Sequence, residues 1–119
     1  MDVIIGGAYQ GKRAYAIEHY GLSEADICTC TEAAPPDRSC RCIDRVENYV
    51  LYCVRNDISP NPEFREDAIV ICREIFSGVV PIDPEIRLWR EETGRFLAAL
   101  SRRASHVTRL FCGLPQVLK

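Results

Sequence analysis

The chain opens Asp2-Val3-Ile4-Ile5-Gly6-Gly7-Ala8-Tyr9-Gln10-Gly11-Lys12-Arg13, and no other stretch constrains the fold as tightly. Val3, Ile4 and Ile5 are branched and apolar without interruption, the pattern of a strand buried on both faces. Glycines follow at 6, 7 and 11. From Lys12 to Tyr20 the pattern turns helical, and Gly21 is suited to close that helix. A buried strand feeding a helix through a glycine-rich turn belongs in an α/β sheet, where crossovers return the chain alongside it.

The remainder repeats the alternation. Ala25 to Cys28 reads as a short second strand. Residues 29–41 (TCTEAAPPDRSCR) carry Pro35-Pro36 and Asp37 and read as an irregular loop. Asp44 to Arg55 resumes a helical period, with Val46, Tyr49, Val50 and Cys53 on one face. Residues 57–62 break it, and 63–67 read as a short helical turn. Ala68 to Cys72 is a second buried strand, followed by a loop over 73–82. Asp83-Pro84 starts a helix, Asp as N-cap and Pro at the first position. It runs to about Arg103 with Ile86, Trp89, Phe96, Leu97 and Leu100 as its apolar stripe. Val107 to Cys112 is the last strand, and Gly113-Leu114-Pro115 turns into the tail. The 119 residues suggest one domain, 1–119, of α/β class with a mostly parallel sheet flanked by helices. Ligands of such sheets sit at the carboxyl ends of the strands. The loop after Val3–Ile5, the loop after Ala68–Cys72 and the segment near Asp44 should therefore converge.

Composition narrows the function. A net charge of −2 gives no basis for binding nucleic acid or an anionic membrane surface. No apolar run approaches the ~18 residues of a membrane span. The start lacks the basic and apolar regions of an export signal, so a cytoplasmic protein is expected. Seven cysteines, an odd number without an export signal, argue against disulfides and leave reduced thiols or a metal site. Cys28-x-Cys30 and Cys40-x-Cys42 flank the proline-bearing loop. Four thiolates could bind Zn²⁺ tetrahedrally and order that loop, although C-x-C is tighter than the usual C-x₂-C. The alternative is four ordinary reduced thiols. His19 and His106 read as surface or cap residues, and no Ser–His–Asp or Cys–His pairing is legible.

The opening loop has the frame of a P-loop, G-x-x-x-x-G-K-[ST], with Arg13 at the last position. Backbone amides from Gly6, Gly7, Ala8, Tyr9, Gln10, Gly11, Lys12 and Arg13 would cradle phosphates, and Lys12 would reach the outer ones. The alternative is a glycine-rich turn that binds nothing, with Lys12 a surface lysine. Arg13 has no lone pair for Mg²⁺. It either adds positive charge at the phosphates or points into solvent. Asp44 and Glu74 are the candidate carboxylates. One would hold Mg²⁺ or its waters, and the other would accept a proton from a hydroxyl nucleophile. The alternative for each is a helix cap or a surface acid.

Taken in order, these segments resemble the adenosylcobinamide kinase / adenosylcobinamide-phosphate guanylyltransferase family of cobalamin biosynthesis. Ile4 to Lys12 is similar to that family's "TGGARSGKS". Ala68 to Pro81 (AIVICREIFSGVVP) is similar to "VIVTNEVGSGIVP". Trp89 to Phe96 (WREETGRF) is similar to "FRDLAGRL", and Leu110 to Lys119 (LFCGLPQVLK) to "VVAGLPLRLK". Cys42-Ile43-Asp44 matches the strand end that carries the family's acidic residue. The resemblance covers most of the chain outside residues 29–41. It implies a RecA-like P-loop fold, a homotrimer, and phosphorylation of the aminopropanol hydroxyl of adenosylcobinamide by ATP or GTP with Mg²⁺. Lys12, Asp44 and Glu74 take nucleotide and metal roles by motif match. The family's second reaction, GMP transfer, passes through a guanylylated histidine.

The departures are specific. No histidine stands between residues 20 and 105, so guanylyl transfer by that route is lost. Arg13 replaces the serine, Arg73 stands where Asn or Asp precedes the glutamate, and Phe76 replaces a loop glycine. The first reading is a reduced, nucleotide-binding kinase of corrinoid metabolism. The second is a non-catalytic relative that senses nucleotide or corrinoid or assembles with partners. The third is an interaction module stapled by metal at the four cysteines.

Overall fold

In a computed structural model describing residues 1–76 and 78–119, five strands run parallel and a sixth runs antiparallel at one edge. Ser77, within the loop expected over 73–82, lies outside the described residues. In chain order the elements are β1 (Asp2–Gly6), α1 (Lys12–Tyr20), a short 3₁₀ turn (Glu24–Asp26), β2 (Ile27–Thr29), β3 (Cys42–Asp44), α2 (Val46–Arg55), β4 (Ile69–Arg73), α3 (Pro84–Arg103), β5 (His106–Phe111) and β6 (Leu114–Val117). The sheet order is β2-β3-β4-β1-β5-β6, which puts β1 between β4 and β5. The fold is therefore α/β with a mostly parallel sheet flanked by helices, as the alternation predicts.

The strand residues divide by the period of two that a pleated strand imposes. Val3, Val70, Cys72, Ile43 and Val107 join α2 (Val46, Tyr49, Val50, Cys53) and α3 (Phe96, Leu100) in one core. Ile4, Ile69, Ile71, Cys42 and Leu110 join Ala16 of α1 and Leu22 in the other. Both faces of the central strands are covered, so their sequences carry no polar alternation.

The start of α3 is as the sequence reads. Asp83 accepts a hydrogen bond from the Glu85 amide at 2.8 Å, and Pro84 opens the helix. Asp83→Ala is expected to cost about 1 kcal/mol of stability, typical of a lost N-cap. Chemical denaturation with an unchanged slope against denaturant would register it.

Three expectations change. Residues 63–67 form no helix, only a turn at Glu66-Asp67 closed by the Ala68 amide on the Arg65 carbonyl at 3.0 Å. Instead Arg38 lies over the Phe64 ring and donates to the Glu63 and Asn61 carbonyls. The tail, to which the sequence pattern assigns no strand, forms one, because Leu114–Val117 pairs with β5 from Thr108 to Phe111. Cys112 (φ 51°) and Gly113 (φ 76°) make the two-residue turn, whose positive φ angles match the twist of a hairpin. Pro115 is tolerated there because an edge strand need not donate from every residue. Finally, Asp44 ends β3 rather than starting a helix; α2 begins at Val46, after Arg45 in the left-handed region (φ 55°, ψ 50°). No described helix is long and apolar enough to cross a membrane.

Candidate functional site

Two cavities stand out among the described residues. One, about 410 Å³, is lined mainly by apolar groups of α3, β5 and the tail. Its only amine, Lys119, already donates to the Ser101 and Arg102 carbonyls. The other is a cleft of about 520 Å³ at the carboxyl ends of β1, β3 and β4. Four cationic side chains (Lys12, Arg13, Arg45, Arg73) and two carboxylates (Asp44, Glu47) face it. A chain of net charge −2 thus concentrates positive charge in one concave place, where field lines favour an anion.

The β1–α1 loop forms one wall. Gly6 is forced by packing, since a Cβ there would lie 2.8 Å from the Leu110 carbonyl oxygen of β5. Gly11 caps α1 at φ 86°, a conformation that suits glycine. Tyr9 takes φ 59° with its ring fully exposed. A non-glycine residue held there stores backbone strain, which concentrates at ligand-binding loops. The β5–β6 turn braces the loop: the Cys112 amide donates to the Gln10 side chain, and the Gly113 amide to the Gln10 carbonyl at 3.1 Å. Lys12 Nζ curls back to donate to the Gly7 carbonyl at 2.6 Å. Burial lowers the Lys12 pKa, opposed by the negative charges of Glu47 and Asp44.

The β3–α2 corner forms the facing wall. Asp44 is buried, and its Oδ1 accepts from the Arg45 amide at 2.8 Å. Its Oδ2 lies 3.4 Å from Arg13 Nη1. Arg13 also contacts Thr29 Oγ1 at 3.4 Å and pairs with Glu24. Arg13 therefore does not point freely into solvent; it lines the cleft and bridges α1 to β2 and β3. The N-terminal ends of both α1 and α2 line the cleft, so two sets of unpaired helix amides and two positive dipole ends meet there.

Glu47, Arg73 and Trp89 complete the cleft, and the sequence reading assigned none of them to it. Glu47 is 3% exposed, in the first turn of α2. Its Oε1 accepts from the Arg73 amide at 2.9 Å, and its carbonyl accepts from Trp89 Nε1 at 2.8 Å. Burial raises the Glu47 pKa above its ordinary value. The signal available was a carboxylate three residues beyond Asp44. The helical face drawn through Val46, Tyr49 and Val50 passed it over.

Glu74 sits where expected, just past β4, but it does not line the cleft. Its oxygens meet Arg109 Nε and Nη2 at 3.1 and 3.3 Å, across the end of β1. Its amide donates to the Gly6 carbonyl at 2.8 Å. Glu74 thus ties β4 and β5 to the start of the loop, while Lys12 and Asp44 face each other without it.

The oxygen donors present are of the class Mg²⁺ takes, but their arrangement does not fit a metal centre. Both Asp44 oxygens are already engaged, one by the Arg45 amide and one by Arg13. The four-cysteine zinc set is not assembled either. Cys30 lies in the core beneath α2 and α3, and Cys42 lies in the core on the opposite sheet face. Burial pushes both thiols up to about 12. Cys28 and Cys40 form a disulfide, contrary to the expectation from cysteine count. Parallel pairing of β2 with β3 returns the loop so that their Cα atoms lie 6.1 Å apart.

Neither the protein-family models nor the curated proteins with which the chain was compared give a match.

Proposed function

We propose that the chain binds the phosphates of a nucleotide, ATP or GTP, in the β1–α1 loop, as a reduced relative of the adenosylcobinamide kinases. The observation that carries this reading is the Gly6–Lys12 loop at the end of the central strand, facing buried Asp44 across a cationic cleft. The strand order supports a RecA-like P-loop fold, since β4 separates the loop-bearing β1 from the acid-bearing β3. In this reading Lys12 leaves the Gly7 carbonyl for a phosphate oxygen, Arg13 and the loop amides add positive charge, and Trp89 walls the cleft. Glu47 lines the cleft and Glu74 does not, so in this reading Glu47 would accept the proton of an incoming hydroxyl. The resemblance supplies that hydroxyl as the aminopropanol group of adenosylcobinamide. It also supplies a homotrimer, for which exposed Phe111, Leu114, Val117 and Leu118 offer apolar contact surface. Sedimentation would give the mass.

Calorimetric titration with ATP and GTP, followed by incubation with adenosylcobinamide, tests the proposal. Saturable binding and a phosphorylated corrinoid are the expected results. Absence of binding to either nucleotide sinks it.

One observation favours the second reading, a nucleotide- or corrinoid-binding protein without turnover. The Arg13–Asp44 contact neutralises the carboxylate that metal-dependent transfer would use. Arg13→Ser restores the hydroxyl and frees Asp44. For a kinase weakened at this one position, the variant should make nucleotide binding Mg²⁺-dependent and raise turnover. A variant that binds without Mg²⁺ and stays inert favours the binding protein.

A further inference from the structure

We propose that, in the reduced protein, Cys28, Cys40 and Asp37 hold one thiophilic divalent cation of the zinc class between β2 and the loop that enters β3. One ligand atom from each of the three residues lies within 4.8 Å of the others. The backbone builds this convergence. Cys28 sits in β2 opposite Ile43, and the loop entering β3 brings the Cys40 Cα to 6.1 Å from that of Cys28, both residues part-buried against the core beneath α2 and α3. Asp37 is aimed by a local turn: the Cys40 amide donates to the Asp37 carbonyl at 3.3 Å, and Ser39 donates to Asp37 Oδ1 from its amide at 2.9 Å and its hydroxyl at 2.6 Å. Those bonds engage one carboxylate oxygen. Two sulfurs and one carboxylate oxygen with an open outer side form a three-ligand site, its fourth position left to water.

The loop needs a fastening of this kind. No residue from 31 to 41 is buried. The junction of Cys28 and Cys40 closes it, beside polar contacts of Arg38, of Arg65 with the Ser39 carbonyl and of Arg55 with Glu32. The chain keeps five other cysteines as free thiols, including exposed Cys112. Once the Cys28–Cys40 disulfide is reduced, two unlinked thiols cannot close a loop. An ion held by both can. The site is separate from the four-cysteine set considered above, because it excludes Cys30 and Cys42 and recruits Asp37.

The chemistry balances with a phosphine as reductant. The phosphine takes the oxygen of one water to become its oxide, and the two hydrogens pass to the two sulfurs. The cation then displaces one proton from each thiol, releasing two protons as two metal–sulfur bonds form. The full-length protein would be reduced with a phosphine and titrated anaerobically with Co²⁺. Thiolate-to-cobalt absorption reports sulfur ligation, and added Zn²⁺ bleaches it. One ion per chain, with absorption appropriate to two thiolates, is expected. Cys28→Ser and Cys40→Ser should each weaken affinity by more than about 100-fold, beyond the range seen for outer-layer partners, and Asp37→Asn by about 10-fold. Cys112→Ser should leave the titration unchanged, and circular dichroism checks that every variant folds. The assignment is overturned by a wild-type protein without sulfur-ligated cobalt, by serine variants that bind as wild type does, or by loss of the signal in Cys112→Ser.

Discussion

Lys12→Met is expected to weaken nucleotide binding by roughly 10- to 150-fold, the equivalent of about 1.5–3 kcal/mol for a charge-assisted hydrogen bond lost. Methionine keeps the stem that packs near Gly6 and removes only the ammonium. The size of the effect follows from where that ammonium sits. It is part-buried and bonded to the Gly7 carbonyl, with Glu47 and Asp44 supplying the nearby negative charge. A phosphate oxygen is a better acceptor than a neutral carbonyl, so binding replaces a weaker partner by a stronger one in a place already poor in water. The fold should change little, because methionine keeps the apolar stem and the lost ammonium donates only to the Gly7 carbonyl. Calorimetry gives the affinity and a thermal melt the stability. Unchanged affinity in Lys12→Met would remove the loop from the binding site.

The parts of this arrangement legible in the sequence are those fixed by short-range physics. Gly6, Gly11 and the apolar run before them announce strand, tight turn and helix, because glycine and branched residues have strong local preferences. Asp83-Pro84 is legible for the same reason. What the sequence hides is set by pairing between distant segments. β3 has three residues and looks like the approach to a helix; it is a strand because Cys42 and Ile43 find β2 on one side and β4 on the other. β6 has no alternation to read, and it forms because Cys112 and Gly113 turn back onto β5. The site follows that division. Lys12 is picked out in the sequence by the glycine frame that precedes it at the start of α1, and Asp44 by the short apolar approach Cys42-Ile43 and the resemblance. Glu74 has the same signature, yet Arg109 on β5 draws it away from the cleft. Glu47 has no such signature, and it faces the cleft because the left-handed turn at Arg45 swings the first turn of α2 inward.

Glu47 therefore carries the second large effect. A nearly fully buried carboxylate costs stability when ionised, and burial raises its pKa above the ordinary 4.5. The folded chain then binds this proton more tightly than the unfolded chain does. Stability from the group is fully present below pH 4.5 and is lost as pH rises from there through the raised value. Glu47→Gln removes that loss and keeps an oxygen to accept from the Arg73 amide. The variant should melt a few degrees higher at pH 7, in line with about 1 kcal/mol for a stabilising substitution, and its stability should vary less between pH 4 and 7. If Glu47 accepts the proton of an incoming hydroxyl, phosphoryl transfer should fall by about 100-fold or more. Nucleotide affinity, which rests on Lys12 and the loop amides, should hold within a few-fold. A gain in stability paired with a loss of turnover marks a group retained for chemistry rather than for the fold. The reverse pairing, a lower melting temperature with turnover unchanged, would make Glu47 a bracket for the end of β4 and nothing more.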